Sequence, residues 1–330
     1  YNKKNICTLR EPRMQAGKEN KQKGVKNVGR YIVKRILLAI LTVLIICAIT
    51  FFVMNAIPGG PFNREKALSP ATIEALNRRY NLDKPVPEQY VLYMNNLLHG
   101  DWGVSLHSGR NIGTEISRKF AVSAKLGGIA AIVAIIIGVI LGSIAALTRN
   151  KLPDRLIVFF TTLGTAMPSF VLATLLLLVF CLKLGWIPVW SSSNPNYLLP
   201  IIALAAYPMA YITRLTKTSM LDALNQDYIR TARAKGVHRL KVIFKHALKN
   251  ALIPVVTYVG PMVAYILTGS MVVENIFTIG GLGTEFVTSI VNRDYTMIMA
   301  ITIFLAVLMV VANLLTDIAY KLIDPRITFE

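Results

Sequence analysis

The 330-residue sequence is short of charge, and shortest of acid: 16% of its residues are charged, with 17 Asp and Glu against 36 Lys and Arg. A soluble chain carries about a quarter charged residues, so an ordinary solvated surface is excluded. Cysteine is scarce too. Cys7 lies in a polar N-terminal stretch, and Cys47 and Cys181 lie in apolar runs, which rules out a disulfide framework or a paired-cysteine metal site. His99, His107, His238 and His246 have no metal-ligand spacing. The single Gly-Lys pair, Gly17-Lys18, is followed by Glu19, so the chain lacks the Lys-Ser/Thr loop that cradles nucleotide phosphates. No Ser/His/Asp nucleophile arrangement is legible. The sequence therefore offers no catalytic, cofactor-binding or metal-binding residues.

What it has in abundance is long apolar runs. Hydrophobic residues make up 54% of the chain, and its mean hydropathy is +0.52. Six segments, 31–57, 122–147, 156–182, 198–218, 251–274 and 295–323, have membrane-spanning length, since a helix rising about 1.5 Å per residue must cross a core of roughly 30 Å. The expected fold class is all-α: a polytopic membrane protein with six transmembrane helices. Pro200 and Pro208 interrupt the fourth segment, and Pro168, Pro208 and Pro261 mark expected helix kinks. Pro58-Gly59-Gly60-Pro61 ends the first span. A polar excursion over 58–120 then carries a helix start at Ser69-Pro70, a second amphipathic helix over 88–98, and a turn at Gly100-Asp101-Trp102-Gly103. Residues 1–28 are polar and Lys-rich, without the order of a signal peptide, and read as a disordered tail.

A net charge of +19 on a soluble face would point to nucleic acid. Here it is concentrated between the apolar runs and reports topology instead. Residues 1–35 hold 11 basic and 2 acidic side chains, and 214–250 hold nine basic residues with only Asp222 and Asp227 as acids. The loop with Arg149, Lys151 and Arg155 is also basic, whereas 183–197 has Lys183 alone. Basic loops stay inside, so both termini are expected in the cytoplasm. Ionisable residues within the spans are few: Lys125 and Glu274 near span ends, and Asp317 in the last. Proton-coupled transporters bury a carboxylate or histidine relay at mid-membrane, and none is visible. No repeat suggests an ion-selectivity filter. Energy for uphill transport would have to come from a partner.

The basic stretch 222–254 is where such a partner could act. Asp227 reads as an N-cap, 228–235 as a short helix with Lys235 in its last turn, and Gly236 as a left-handed stop. A second helix follows, with Leu240, Ile243, Phe244, Ala247, Leu248 and Ala251 on one stripe and Lys241, Lys245 and Lys249 opposite. The second helix suits the lipid interface, and the first, with Ala232 and Ala234, suits a groove on another protein. On charge alone, a loop that only sets topology and touches lipid headgroups is the favoured reading.

The pattern Arg230-Thr231-Ala232-Arg233-Ala234-Lys235-Gly236 shifts that balance, because it resembles the cytoplasmic loop of ABC importer permeases, Glu-Ala-Ala, three residues, then Gly. Arg230 and Thr231 depart from it, as does HALKNALIPVVTYVGP downstream, in the manner of the oligopeptide/dipeptide subfamily. PGGPF at 58–62, YNLDKP at 80–85, GDWGVS at 100–105, MPSF at 167–170, ENIFTIGGLG at 274–283, NRDYTMIM at 292–299 and IDPRI at 323–327 extend the resemblance over nearly the whole chain.

The resemblance implies the type I ABC importer permease fold in a bacterial plasma membrane. It implies one half of a translocation pathway, paired with a homologous second permease. Two cytoplasmic ATPases would bind ATP and Mg, and an extracytoplasmic binding protein would deliver oligopeptide. Asp227, Tyr228 and 230–236 would form the coupling helix and its exit, within a 219–250 loop. Glu274, Gly280, Gly281 and Gly283 suggest a tight turn at the outer gate, and the 58–120 excursion either meets the binding protein or shields the periphery. Dipeptide, glutathione or nickel permeases, or a non-transporting receptor, stay open; nickel is least favoured, since no His, Met or Cys cluster lines a path.

Overall fold

The computed structural model describes residues 11–57, 74, 77, 78 and 80–323. The Ser69-Pro70 helix start, the PGGPF turn and most of IDPRI lie outside the described residues. Among those described, the chain is helical, with one isolated bridge, Val104 to Asn111, in place of any strand. The helices are α1 (Glu11–Ala56), α2 (Val86–Leu98), α3 (Ile112–Leu147), α4 (Leu152–Ala166), α5 (Ser169–Leu176, continuing as a π-helix over Leu177–Lys183) and α6 (Leu198–Leu224). They are followed by α7 (Asp227–Ala234), α8 (Arg239–Lys241, a π segment Val242–Leu248, then Lys249–Ile276), α9 (Leu282–Asn292) and α10 (Tyr295–Ile323). Among the described residues, five helices are long and apolar enough to cross a membrane, and the α4–α5 pair makes a sixth passage if taken as one broken span. The expected six-span, all-α architecture is thus present.

The bounds differ where polar residues extend an apolar run. α1 starts at Glu11, inside the stretch read as a tail, and its membrane-length part is Val33–Ala56. α3 begins ten residues before its apolar run, because the Asn111 side chain caps it by accepting from the Thr114 amide at 3.1 Å.

The prolines divide three ways. At Pro168 the expected kink is a break: Met167 is extended, Pro168 caps the next helix, and α4 and α5 meet at 104°. The ring cannot donate to the ladder and pushes its predecessor out of the helical region. Pro200 does not interrupt α6 at all, since it lies in the first turn, where an amide would lack an intrahelical partner anyway. Pro208 and Pro261 sit within helices that continue through them.

α6 is the centre of the packing. Gly138 and Gly142, four apart on α3, let it approach closely: a Cβ on Gly142 would lie 2.6 Å from the Thr213 carbonyl oxygen, and one on Gly138 would lie 2.8 Å from Ile212. In lipid, helix association depends on such backbone proximity rather than on hydrophobic exclusion. Gly260 has the same purpose on α8, where a Cβ would come 2.5 Å from Thr316 Cβ of α10. α10 also packs on α1, through Ile298, Met299 and Ile303 against Cys47, Phe51 and Met54.

Candidate functional site

The first site is a short helix on a buried seat. α6 ends at Asn225, and Gln226, not Asp227, is the N-cap of α7; Asp227 is its first residue. There its charge complements the helix dipole, and its carboxylate lies 3.5 Å from Arg230 on the open surface. Gly236 ends α7 at φ +72, as expected from the sequence. The Gly236 amide donates to the Arg233 carbonyl at 3.0 Å and the Val237 amide to that of Ala232 at 3.2 Å. This 5→2 and 6→1 pair satisfies carbonyls left open by the helix end, and Val237 packs back on the cluster that holds Ala232. Lys235 is the C-cap, one place beyond the last turn.

The faces of α7 differ from the sequence expectation in one respect. Ile229, 0% exposed, and Ala232 are buried against Met220, Ala223, Val242, Ile243 and Ala247 of this same chain. Ala232 therefore seats the helix instead of offering it to a groove elsewhere. The outward face is Asp227, Tyr228, Arg230, Thr231, Arg233, Ala234 and Lys235. Beneath it, the stripe expected on the following helix is split: Ile243, Ala247 and Ala251 are buried, while Leu240 and Phe244 are 57% and 63% exposed. The π segment widens the turn there, so residues at ordinary α spacing part onto two faces. That segment runs straight into the membrane-length helix, so α7 rests on an extension of α8. A cavity of about 510 Å³ opens beside it, lined by Leu224, Arg233, Val237 and Arg239 among others.

Asp154 braces the same end of the molecule. It accepts from Lys217 of α6 at 2.5 Å and from the Asn150 amide at 3.0 Å, tying the α3–α4 loop to α6. The sequence reading placed Lys217 only in a basic loop; the pairing across 63 residues has no local signal.

The second site lies at the opposite end. Glu274 is 0% exposed. Its Oε1 accepts from Ser270 Oγ at 2.6 Å, and its Oε2 accepts from the Gly283 and Thr284 amides at 2.9 and 3.4 Å. The Leu282 amide donates to Ser123 Oγ of α3 at 2.8 Å. The first amides of α9 are thus met by side chains from α8 and α3, which also place acceptor oxygens at the positive helix end. Glycine is required where this happens: a Cβ on Gly281 would lie 2.6 Å from Glu274 Cδ and Ser123 Oγ, and one on Gly283 would lie 2.9 Å from Glu274 Oε2. Gly280 has room, its nearest neighbour being Lys119 Nζ at 3.9 Å. Glu274, Gly281 and Gly283 therefore form one unit, and Gly280 stands outside it. Lys119 and Glu285 close the rim at 3.1 Å.

Two residues not singled out from the sequence join the excursion to this end. Asp294, buried between α9 and α10, accepts from Ser105 Oγ, from the Leu106 amide at 3.1 Å and from the Met297 amide at 3.2 Å. Both lie within stretches that carried the resemblance, which was the available signal. Lys125, left without a role by the sequence, stands 5.3 Å from the Tyr197 ring centroid, within cation–π range.

Among the described residues no group of three His, Cys, Asp or Glu could hold a metal. Both sites are structural and mechanical in character: a polar helix on a greasy seat, and a turn locked by a buried carboxylate.

Comparison with known proteins agrees with that character. Residues 138–329 match the family of binding-protein-dependent transport system inner membrane components, and residues 28–113 match the N-terminal part of the same membrane component. The chain belongs to this family and is a multi-pass membrane permease. Among its relatives, the dipeptide transport system permease protein DppB of Bacillus subtilis is 44% identical over 91% of this chain and 98% of its own length. The oligopeptide transport system permease protein OppB of Haemophilus influenzae is 40% identical over 91% and 99%. The MetNI methionine ABC transporter in inward-facing conformations has a TM-score of 0.54 at 15% identity, covering 63% of this chain and 96% of that one. An amino acid ABC transporter gives 0.52 at 15%, covering 63% and 94%. At those identities the two structures speak for the fold alone, which is that of ABC importer membrane subunits.

Proposed function

We propose that this chain is a membrane-spanning permease subunit of an ATP-driven peptide importer, forming half of the translocation pathway. The observation that carries this reading is the extent of the likeness to dipeptide and oligopeptide permeases, about nine-tenths of the chain at 39–44% identity. The subunit is not itself an enzyme. Its partners are a homologous second permease, two cytoplasmic ATPases that bind ATP and Mg, and an extracytoplasmic peptide-binding protein. The basic α7 end faces the cytoplasm with both termini, as the distribution of Lys and Arg supports. In that setting the exposed residues of α7 dock in an ATPase, and its buried residues pass the motion into α6 and α8. The Glu274 turn lies at the outer mouth.

The test is reconstitution of the permease pair with its two ATPases in liposomes, with the binding protein supplied outside. Labelled tri-alanine should accumulate only when ATP is enclosed with the ATPases. Equal accumulation without ATP, or none with every component present, would overturn the reading.

A further inference from the structure

The exposed stripe of α6 is unlike those of the other spans. α3 covers this helix through Gly138 and Gly142, α4 touches it at Gly164 and Ala210, and Ile212 joins the core that includes Val255, Met262 and Ile266 of α8. Between the exposed ends Leu198 and Asp222, what stays exposed is Ile202, Tyr207, Tyr211, Arg214 and Thr218, at steps that keep one face of a helix. On α8, Tyr258 is half-buried, and Pro261, Tyr265 and Val272 are exposed at matching steps. The two stripes adjoin. The Tyr211 and Tyr258 rings are 4.3 Å apart between centroids.

Among the described residues, these four tyrosines lie in the membrane-length stretches 198–224 and 239–267, and the other such stretches hold only Tyr295, at the first residue of its own. Tyrosine in membrane proteins belongs at the headgroup level. At about 1.5 Å per residue, Tyr207 and Tyr211 instead lie roughly 14 and 20 Å from the nearer end of α6, and Tyr265 and Tyr258 roughly 17 and 27 Å from the Ile276 end of α8. Depth is costly for a hydroxyl in hydrocarbon. Thr162, Thr174 and Thr257 avoid that cost by donating to their own helix, to the carbonyls of Val158, Phe170 and Ile253 at 2.8–2.9 Å. The hydroxyls of Tyr207, Tyr211 and Tyr258, carried on rings beyond Cβ, cannot return to the same backbone in this way. By contrast, the exposed stripe of α3 is Ile132, Ile136, Ile140 and Ile144, a face suited to lipid tails.

We infer that Tyr207, Tyr211, Tyr258 and Tyr265 form the surface over which the backbone of the transported peptide passes, an assignment that rests on the transport function proposed above. Each offers an O–H donor, an oxygen acceptor and a ring face without net charge at neutral pH. A peptide presents amide N–H and C=O groups in alternation and an α-ammonium that ring faces attract. Contacts of this kind read the backbone and the amino end and ignore side chains, so peptides of different composition pass alike.

Two measurements on the assembled, reconstituted importer decide this. In the first, benzoylphenylalanine replaces Tyr211 or Tyr265, with Ile136 replaced as control, and radiolabelled tetra-alanine is supplied with ATP and binding protein. Saturable label on the permease from positions 211 and 265, and none from 136, is expected. Adducts from 211 and 265 to lipid or to the second permease alone would overturn the assignment. In the second, Tyr211→Phe and Tyr258→Phe keep the ring and lose the hydroxyl, and each should raise the uptake KM about two- to tenfold, the size of one neutral hydrogen bond. The ATPase rate and kcat should stay near wild type, and tri-alanine and tri-lysine should suffer equally. An unchanged KM in both variants, or a fall in kcat alone, counts against it. Absence of ATP-driven uptake in the wild-type assembly would instead bring down the transport function itself.

Discussion

Ile229→Ala tests whether α7 owes its position to its seat. Eight residues are too few for a helix to persist alone, since isolated helices shorter than about 12–15 residues are marginal in water. Its anchorage is Ile229 and Ala232, with Val237 beyond the Gly236 stop. The substitution removes three carbons from a fully buried site; at ~0.8 kcal/mol each that is about 2.4 kcal/mol before any cavity term, within the ~2–5 kcal/mol seen for such truncations. If the loss falls on the local docking of α7, the undocked population rises about fiftyfold, at tenfold per ~1.4 kcal/mol. Hydrogen–deuterium exchange on the permease in nanodiscs reads this directly. The amides of Lys235 and Val237, bonded to Thr231 and Ala232, should exchange about fiftyfold faster by the same arithmetic, while α3 stays protected. In the assembled importer the variant should hydrolyse ATP without matching uptake. Arg230→Ala on the outward face makes the contrast: exchange nearly unchanged, because its ion pair is exposed and contributes little, yet uptake impaired. Unchanged exchange in Ile229→Ala would refute the seat.

Three further outcomes follow from the same geometry. At Gly236 a Cβ meets open space, so only the positive φ resists substitution; Gly236→Asn should keep most uptake, whereas Gly236→Val should destabilise by about 1–2 kcal/mol, measured as local exchange and as lost uptake. Gly281→Ala drives a methyl into Glu274 and Ser123 and should cost about 1–3 kcal/mol in thermal unfolding of the permease, while Gly280→Ala should be neutral. Gly142→Leu should prevent α3 from meeting α6 and give aggregated protein on size-exclusion, whereas Gly128→Ala, with nothing within 4 Å of its Cβ, should behave as wild type.

Legibility followed the range of the interactions concerned. The Gly236 stop was readable because a left-handed cap is a local demand, and Ala232 was misassigned because small size alone does not say which way a side chain faces. The same spacing that marks a surface groove-binder also marks a buried seat, and only Met220 and Ala247 packed against it decide between them. Glu274 was legible as part of a tight turn through its place before a glycine cluster. That Gly281 and Gly283 need to be glycine and Gly280 does not is a matter of where Glu274 and Ser123 come to lie. Pro168 signalled a disturbance in the third span, and the 104° break reflects how α4 and α5 find separate neighbours on α6.

By itself the sequence determined the membrane class, the count of spans, the sidedness expected from its basic loops and the family resemblance, because apolar length, charge placement and motif order are properties of the chain alone. Tertiary structure decided which glycines are contact points, which face of α7 is offered outward, that Asp154 meets Lys217 and Asp294 meets Ser105, and that the Tyr211 and Tyr258 rings meet between α6 and α8. Those contacts join segments far apart in the chain; the α3–α6 and α8–α10 pairings among them rest on the close approach that Gly138, Gly142 and Gly260 allow.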